Sequence, residues 1–186
     1  MALRGFGLAA LLATSSLFAA DLPRPAKEIR FIDHTGQSVA LSALKGKVVI
    51  VEFLLTHCPT CQESARLLSQ LQTEYGKRGL QVIGLGINSD AGAKLNEFVG
   101  KTGANFPLGV YPNASFMEWL QLPTISNPVM PQLAFIDRKG MVREQHGAIE
   151  TWMAPAFEEK NIRSLVEKLL SEGGATPAAK KPATKK

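Results

Sequence analysis

Val48-Val49-Ile50-Val51-Glu52-Phe53-Leu54-Leu55 is a continuous apolar, largely β-branched run with a single charged member, Glu52. A run of this kind fits a central strand covered on both faces, and it leaves few folds open. Immediately after it the period changes. Over residues 60–75, Cys61, Ala65, Leu68 and Tyr75 fall close to one helical face with Leu71 at its edge, while Gln62, Glu63, Arg66, Gln70 and Glu74 lie mostly outside it. Gly76 and Gly79 are placed to end that helix, and Leu80-Gln81-Val82-Ile83-Gly84-Leu85-Gly86-Ile87 reads as a second buried strand. Residues 48–87 therefore form a right-handed βαβ unit with a parallel strand pair, and the chain is α/β.

The flanking segments extend this unit. Residues 28–33 and 38–41, separated by the turn His34-Thr35-Gly36-Gln37, predict an N-terminal β-hairpin. Residues 91–103, with Leu95, Phe98 and Val99 on one side, predict a helix, and Ser115–Leu122 a short one. Leu133–Asp137 and Met141–His146 flank the turn Arg138-Lys139-Gly140 as an antiparallel hairpin, and Phe157–Leu170 closes the chain as an amphipathic helix. The order is β-hairpin, βαβ, irregular helical segment, ββα, with no internal repeat.

The chain has 186 residues, enough for one compact domain with short extras. One early positive charge, Arg4, precedes an apolar and small-residue run from Gly5 to Phe18 that closes on Ala19-Ala20-Asp21. That is the layout of a secretory signal peptide over residues 1–20, cleaved at Ala19 or Ala20, and the run is shorter than the ~20 residues that span a bilayer. Residues 173–186 hold only small residues, proline and lysine, so this tail is expected to be disordered. The folded domain is then 21–172, exported, periplasmic or otherwise extracytoplasmic, and monomeric. Of the formal charge of +5, all is carried by Arg4, Lys180, Lys181, Lys185 and Lys186, so residues 21–172 are neutral overall. A nucleic-acid binder carries its excess basic charge on the folded surface, so no nucleic-acid partner is expected.

Two cysteines exclude a multi-disulfide framework and a four-cysteine zinc site. Both lie in His57-Cys58-Pro59-Thr60-Cys61, where the buried strand gives way to the helix. The first helical turn brings positions i and i+3 within bridging distance. Cys58 at the helix N-terminus has unpaired backbone N–H groups and the helix dipole to stabilise a thiolate, whereas Cys61 turns toward the apolar face. Pro59 suits the first turn because it has no N–H to leave unpaired. A structural disulfide closing so short a loop would be a poor staple, and His34, His57 and His146 stand at no zinc spacing from the pair. Redox chemistry is the leading reading; Cu(I) held by two thiolates and a passive bridge stay open.

Leu41-Ser42-Ala43-Leu44-Lys45-Gly46-Lys47 leading into the buried strand, the Cys58–Cys61 motif, and Val129-Met130-Pro131-Gln132-Leu133-Ala134-Phe135-Ile136-Asp137-Arg138-Lys139-Gly140 form an ordered set over about residues 28–171. This set resembles the thioredoxin superfamily, and within it the exported TlpA/ResA type of thiol-disulfide oxidoreductase. The resemblance implies a thioredoxin fold, with a central mixed β-sheet flanked by helices, and a cis peptide bond between Met130 and Pro131 beside the cysteines, leaving the Met130 backbone free to pair with an extended substrate. It implies a redox-active Cys58–Cys61 disulfide and no other cofactor. Protein thiols and disulfides are the implied partners, with a membrane electron-transfer partner if the protein is a reductase. Glu52, six residues before Cys58, falls where thioredoxins carry a buried acid that moves the proton of the second cysteine.

The sequence also departs from that family. His57 stands where an aromatic is usual and Leu54 follows Phe53, so His57, Pro59, Thr60 and Met130 are expected to give the substrate-binding surface its own character. A protonated His57 would favour the Cys58 thiolate. Pro59-Thr60 also resembles peroxiredoxins, although Thr56 is one residue out of place for that class, and peroxidase is the alternative enzyme reading. Trp119 and Trp152 are candidates for a groove or for packing, His146 for a structural role, and Asn113-Ala114-Ser115 fits a glycosylation sequon.

Overall fold

A computed structural model describes residues 21–123, 125–156 and 158–172. The expected signal peptide and C-terminal tail lie outside these described residues. The elements run β1 (Arg24–Pro25), β2 (Arg30–Ile32), β3 (Ser38–Ala40), β4 (Val48–Leu54), α1 (Pro59–Tyr75), β5 (Leu80–Gly86), α2 (Ala91–Thr102), β6 (Leu108–Val110), α3 (Asn113–Leu120), β7 (Gln132–Ile136), β8 (Met141–Gly147) and α4 (Glu158–Ser171).

The main sheet has the order β1-β8-β7-β4-β5-β6, and β2 and β3 form a separate two-stranded sheet. β4, β5 and β6 are parallel, β7 runs antiparallel to β4, and β8 runs antiparallel to β7. This is the mixed sheet and N-terminal hairpin that the sequence predicts. All seven residues of β4 are buried, so its uninterrupted apolar pattern reflects cover on both faces.

The alternation of β4 assigns those faces. Phe53 packs its ring against Phe116 and Trp119 of α3. Its register partner Leu85 pairs onward with Gly109, and a Cβ at Gly109 would lie 2.0 Å from the Phe31 ring, so β2 lies over that glycine. The hairpin and α3 therefore share the Phe53 face. Glu52 points to the opposite face. There α1 and α4 lie side by side, joined by the Tyr75 hydroxyl donating to Glu167 and by the Arg163–Glu74 ion pair.

Two strands are absent from the sequence reading. β1 has two residues and ends on Pro25, tolerated because it pairs only with β8 at the sheet edge. β6 has three residues, too few to display a period, and exists because α2 carries the chain over to lie parallel to β5. α1 ends at Tyr75 with Gly76 as its C-cap, as the sequence predicts, and a 3-10 turn over Gly76–Arg78 follows and ends at Gly79 with φ +104°.

Arg138 stitches this end of the sheet. Its guanidinium donates to the carbonyls of Gly46 and Arg78, and a Cβ at Gly79 would come within 2.8 Å of it. Gly79→Ala combines a left-handed alanine with displacement of Arg138. The substitution is expected to cost about 1–3 kcal/mol, read as a lower urea midpoint with unchanged slope and unchanged Cys58 alkylation rate.

Candidate active site

Thr56 and His57 carry the chain from β4 to α1, and the turn is clamped from β5's side. The Asn88 carboxamide accepts the Thr56 N–H at 3.0 Å and donates to the Thr56 hydroxyl at 2.9 Å. The Thr56 hydroxyl is thus tied to Asn88 rather than to Cys58. Asn88 has no sequence signal of its own, because its role follows from the parallel β4–β5 register.

Cys58 caps α1. Its backbone is extended (φ −82°, ψ 122°), its Sγ accepts the Cys61 N–H at 3.4 Å, and Pro59 occupies the first helical turn. The Thr60 hydroxyl lies 3.1 Å from the same sulfur. Cys58 is half-buried and Cys61 fully buried, and both are free thiols here. Burial acts to raise the Cys58 thiol, but bonds from the Cys61 thiol, the Thr60 hydroxyl and the helix N–H groups outweigh it, so Cys58 is held below an ordinary cysteine. Cys61 is pushed far above the ordinary value, by burial first, then by its bond to Cys58 and by the charge of Glu52. His57 is exposed and lines a shallow depression with Asp90, Lys94 and Glu97; it forms no hydrogen bond to Sγ among the described residues.

The Met130–Pro131 peptide bond is cis, as the resemblance implies. The Cys58 thiol donates to the Met130 carbonyl at 3.9 Å, so the cis-proline segment lies against the Cys58 sulfur. The segment is fixed on both sides of the bend: the Gln132 carboxamide donates to the Val129 carbonyl at 2.6 Å, and the Ala148 N–H to the Pro131 carbonyl at 3.0 Å. Val129 and Ile149 stand exposed on its rim.

Glu52 is completely buried on the α1 and α4 face, and neither carboxyl oxygen has a hydrogen-bond partner among the described residues. Desolvation raises its pKa to about 8; the nearby Ser64 hydroxyl pulls the other way, and the charges of Glu158 and Cys58 push further up. A groove of about 390 Å³ opens beside Cys58, lined by Thr60, Glu63, Pro131, Met153 and Glu158 among others. Ser64 and Glu158 had no signal in the sequence, since an isolated serine or glutamate on a helix reads as surface.

The remaining candidates are placed elsewhere. Trp119 is fully buried on the Phe53 face, under the Arg24 guanidinium, with its indole N–H donated to the Lys27 carbonyl, so it packs and lines no groove. Trp152 stacks on the His146 ring at 3.9 Å, and His146 lies between the carboxylates of Glu150 and Glu144 at 2.7 and 3.3 Å, a structural cluster. Asn113 opens α3. Among the described residues no three His, Cys, Asp or Glu side chains gather as a metal-ligand set, and no helix is long and apolar enough to cross a membrane.

Residues 23–164 match the Redoxin family. The thiol-disulfide oxidoreductase ResA of Halalkalibacterium halodurans is 32% identical over 128 residues, covering 68% of this chain and 69% of that protein. The thiol:disulfide interchange protein DsbE of Escherichia coli is 26% identical over 151 residues, covering 81% of this chain and 75% of the relative. Among solved structures, that of a Chlorobium tepidum protein assigned as a thiol:disulfide interchange protein DsbE is 25% identical with a TM-score of 0.69, covering 82% of this chain and 99% of the other. With a low-lying thiol capping α1, a buried partner three residues on and a cis proline against the first sulfur, the chain belongs to the Redoxin family of the thioredoxin superfamily and is a thioredoxin-like thiol-disulfide oxidoreductase.

Proposed function

We propose that this protein works outside the cytoplasm, exchanging a Cys58–Cys61 disulfide with the thiols and disulfides of client proteins. The observation that carries the reading is the unequal placement of the two thiols: Cys58 caps α1 against the cis-proline segment and is held below an ordinary cysteine, while Cys61 is fully buried three residues on and is held above it. An unequal pair divides the labour: one sulfur attacks, the other is silent until it is deprotonated.

In the reducing direction the Cys58 thiolate attacks a client disulfide. A bond forms between Cys58 Sγ and one client sulfur, and the other client sulfur leaves as a thiolate. Glu52 then takes the Cys61 proton, and the Cys61 thiolate attacks Cys58 Sγ and expels the second client thiolate. Two electrons pass to the client and the Cys58–Cys61 disulfide remains; running the steps backward oxidises a client dithiol. Thr60 steadies the Cys58 thiolate, while His57, Pro59 and the exposed Val129 and Ile149 form the rim that a client touches. The client's extended chain pairs with the Met130 backbone beside the cis Pro131. A reductase in an oxidising compartment needs an electron donor, which we place in the membrane.

Cys58→Ser is expected to abolish exchange, whereas Cys61→Ser is expected to accumulate a client mixed disulfide on Cys58, seen by non-reducing gel and mass. Persistence of full exchange in Cys58→Ser would overturn the reading. Equilibration of the mature protein with redox buffers gives the direction: a potential near or below about −270 mV marks a reductase, one near −120 mV an oxidant.

Glu52 gives a second test through stability. Its folded pKa lies above the ordinary 4.5, at about 8, so between those values the folded state holds a proton that the unfolded state has lost. The carboxyl's contribution is present below 4.5 and is lost as pH rises through 8, with a slope of up to about 1.4 kcal/mol per pH unit. Glu52→Gln is expected to flatten that decline, making the variant more stable than the parent at pH 8 and nearly equal to it at pH 4, while slowing resolution of the mixed disulfide. Parallel urea curves from pH 4 to 8 check it; identical pH dependence in both proteins would show that Glu52 is not held protonated.

A further inference from the structure

We propose that Glu158, on the first turn of α4, is a positioning residue for the exchange reaction: it links the interior carboxyl of Glu52 to the groove and sets when Glu52 can accept the Cys61 proton. The inference rests on the Glu52 step proposed above.

Glu52 is sealed in the interior with two unpartnered oxygens, yet each catalytic cycle has to bring a proton to it and take one away. Glu158 stands between that interior and solvent. α4 packs against β4 on the face to which Glu52 points. Glu158 is half-buried, and its Oε1 is inaccessible and has no hydrogen-bond partner among the described residues. The residue also lines the groove that Thr60 and Pro131 open beside Cys58. A carboxyl used only for structure at a helix start accepts a capping bond or an ion pair; among the described residues Glu158 has neither, and its own N–H donates to the Ala154 carbonyl.

Among the described residues no cation pairs with it. From α1, Glu63 faces it across the groove, and Arg66, which also lines the groove, gives a guanidinium bond to the Lys101 carbonyl on α2. On α4 itself, Glu159 is paired with Arg163. The segment 153–155 presents Met153 and Pro155, and β4 presents Glu52. Glu52, Glu158 and Glu63 thus form a graded series from fully buried to groove-lining. Each raises the proton affinity of its neighbour: Glu158 acts on Glu52 and Glu63 acts on Glu158, in both cases behind the larger effect of burial. Such coupled carboxyls titrate as a set, so removing the middle charge changes the behaviour of the buried one.

The proton balance is simple. Glu52 carboxylate receives the Cys61 proton as the Cys61 thiolate forms and later releases it to water, while the electron pair on Cys61 makes the new bond to Cys58 and the displaced sulfur leaves as a thiolate.

The test needs no client protein. The reduced full-length mature protein is mixed with 5,5′-dithiobis(2-nitrobenzoate) in a stopped-flow instrument, and release of the second thionitrobenzoate from Cys58 is followed from pH 5 to 9. That phase reports attack by Cys61. In the parent its acidic limb is expected to follow Glu52. Glu158→Gln removes the repelling charge at nearly constant shape and is expected to move the limb downward by on the order of half a pH unit, so that release on the limb is about threefold faster. Glu158→Asp, which keeps the charge, is expected to retain the parental limb, and Glu158→Gln is expected to add no shift in a Glu52→Gln background. A parental limb in Glu158→Gln, in a protein whose unfolding midpoint shows it to be folded, overturns the inference. So does an equal shift in the Glu52→Gln background, which would place the effect of Glu158 elsewhere. If Glu52→Gln alone leaves the limb unmoved, the Glu52 step itself falls, and with it the reason for Glu158.

Discussion

β4 lies between β5 and β7 and is covered on both faces, so every residue from Val48 to Leu54 is withdrawn from water and every backbone polar group along it must find a partner in a neighbouring strand. This constraint orders the rest of the chain. The parallel pairing to β5 requires a crossover, which is α1; the antiparallel pairing to β7 brings the cis-proline bend level with the end of β4. Cys58 and Met130 come together because they end adjacent strands of one sheet, although seventy-two positions separate them in the chain.

Against that background the position of Glu52 is costly. An apolar side chain in its place would bury without penalty, whereas a carboxyl with no hydrogen-bond partner is stable in the interior only when it keeps its proton. The surrounding core offsets this cost: Leu133 beside Glu52 in register, and Ile162 and Val166 on α4, are fully buried apolar side chains. The same burial that penalises the Glu52 charge raises Cys61, so both groups are held in their protonated forms by one cause.

The parts of the fold that were legible in the sequence are those whose signal is local. The β4 run, the period change into α1 and the turn between β7 and β8 each lie within a short window, and each reappears within a residue or two. Cys58, Cys61 and Pro59 were legible because a helix N-terminus assigns distinct environments to positions i and i+3. β1 and β6 were not, since two or three residues carry no period and their pairing depends on chain brought from elsewhere. Asn88 and Glu158 escaped for a related reason: Asn88 acquires its meaning from the β4–β5 register, and Glu158 from the packing of α4 over β4.

That distinction also explains why the two cysteines fix the chemistry but not its pH dependence. The lowering of Cys58 comes from groups within its own turn, the Cys61 thiol, the Thr60 hydroxyl and the N–H groups of α1, so it is carried wherever this pentapeptide begins a helix. The raising of Cys61 and Glu52 depends on how completely α1, α4 and β7 close over them. A substitution on α4 far along the chain can therefore shift Cys61 and Glu52 while leaving the turn that holds Cys58 in place. In a chain of this architecture, the environment of Cys58 is a local property of sequence, and that of Cys61 is a property of the packed core.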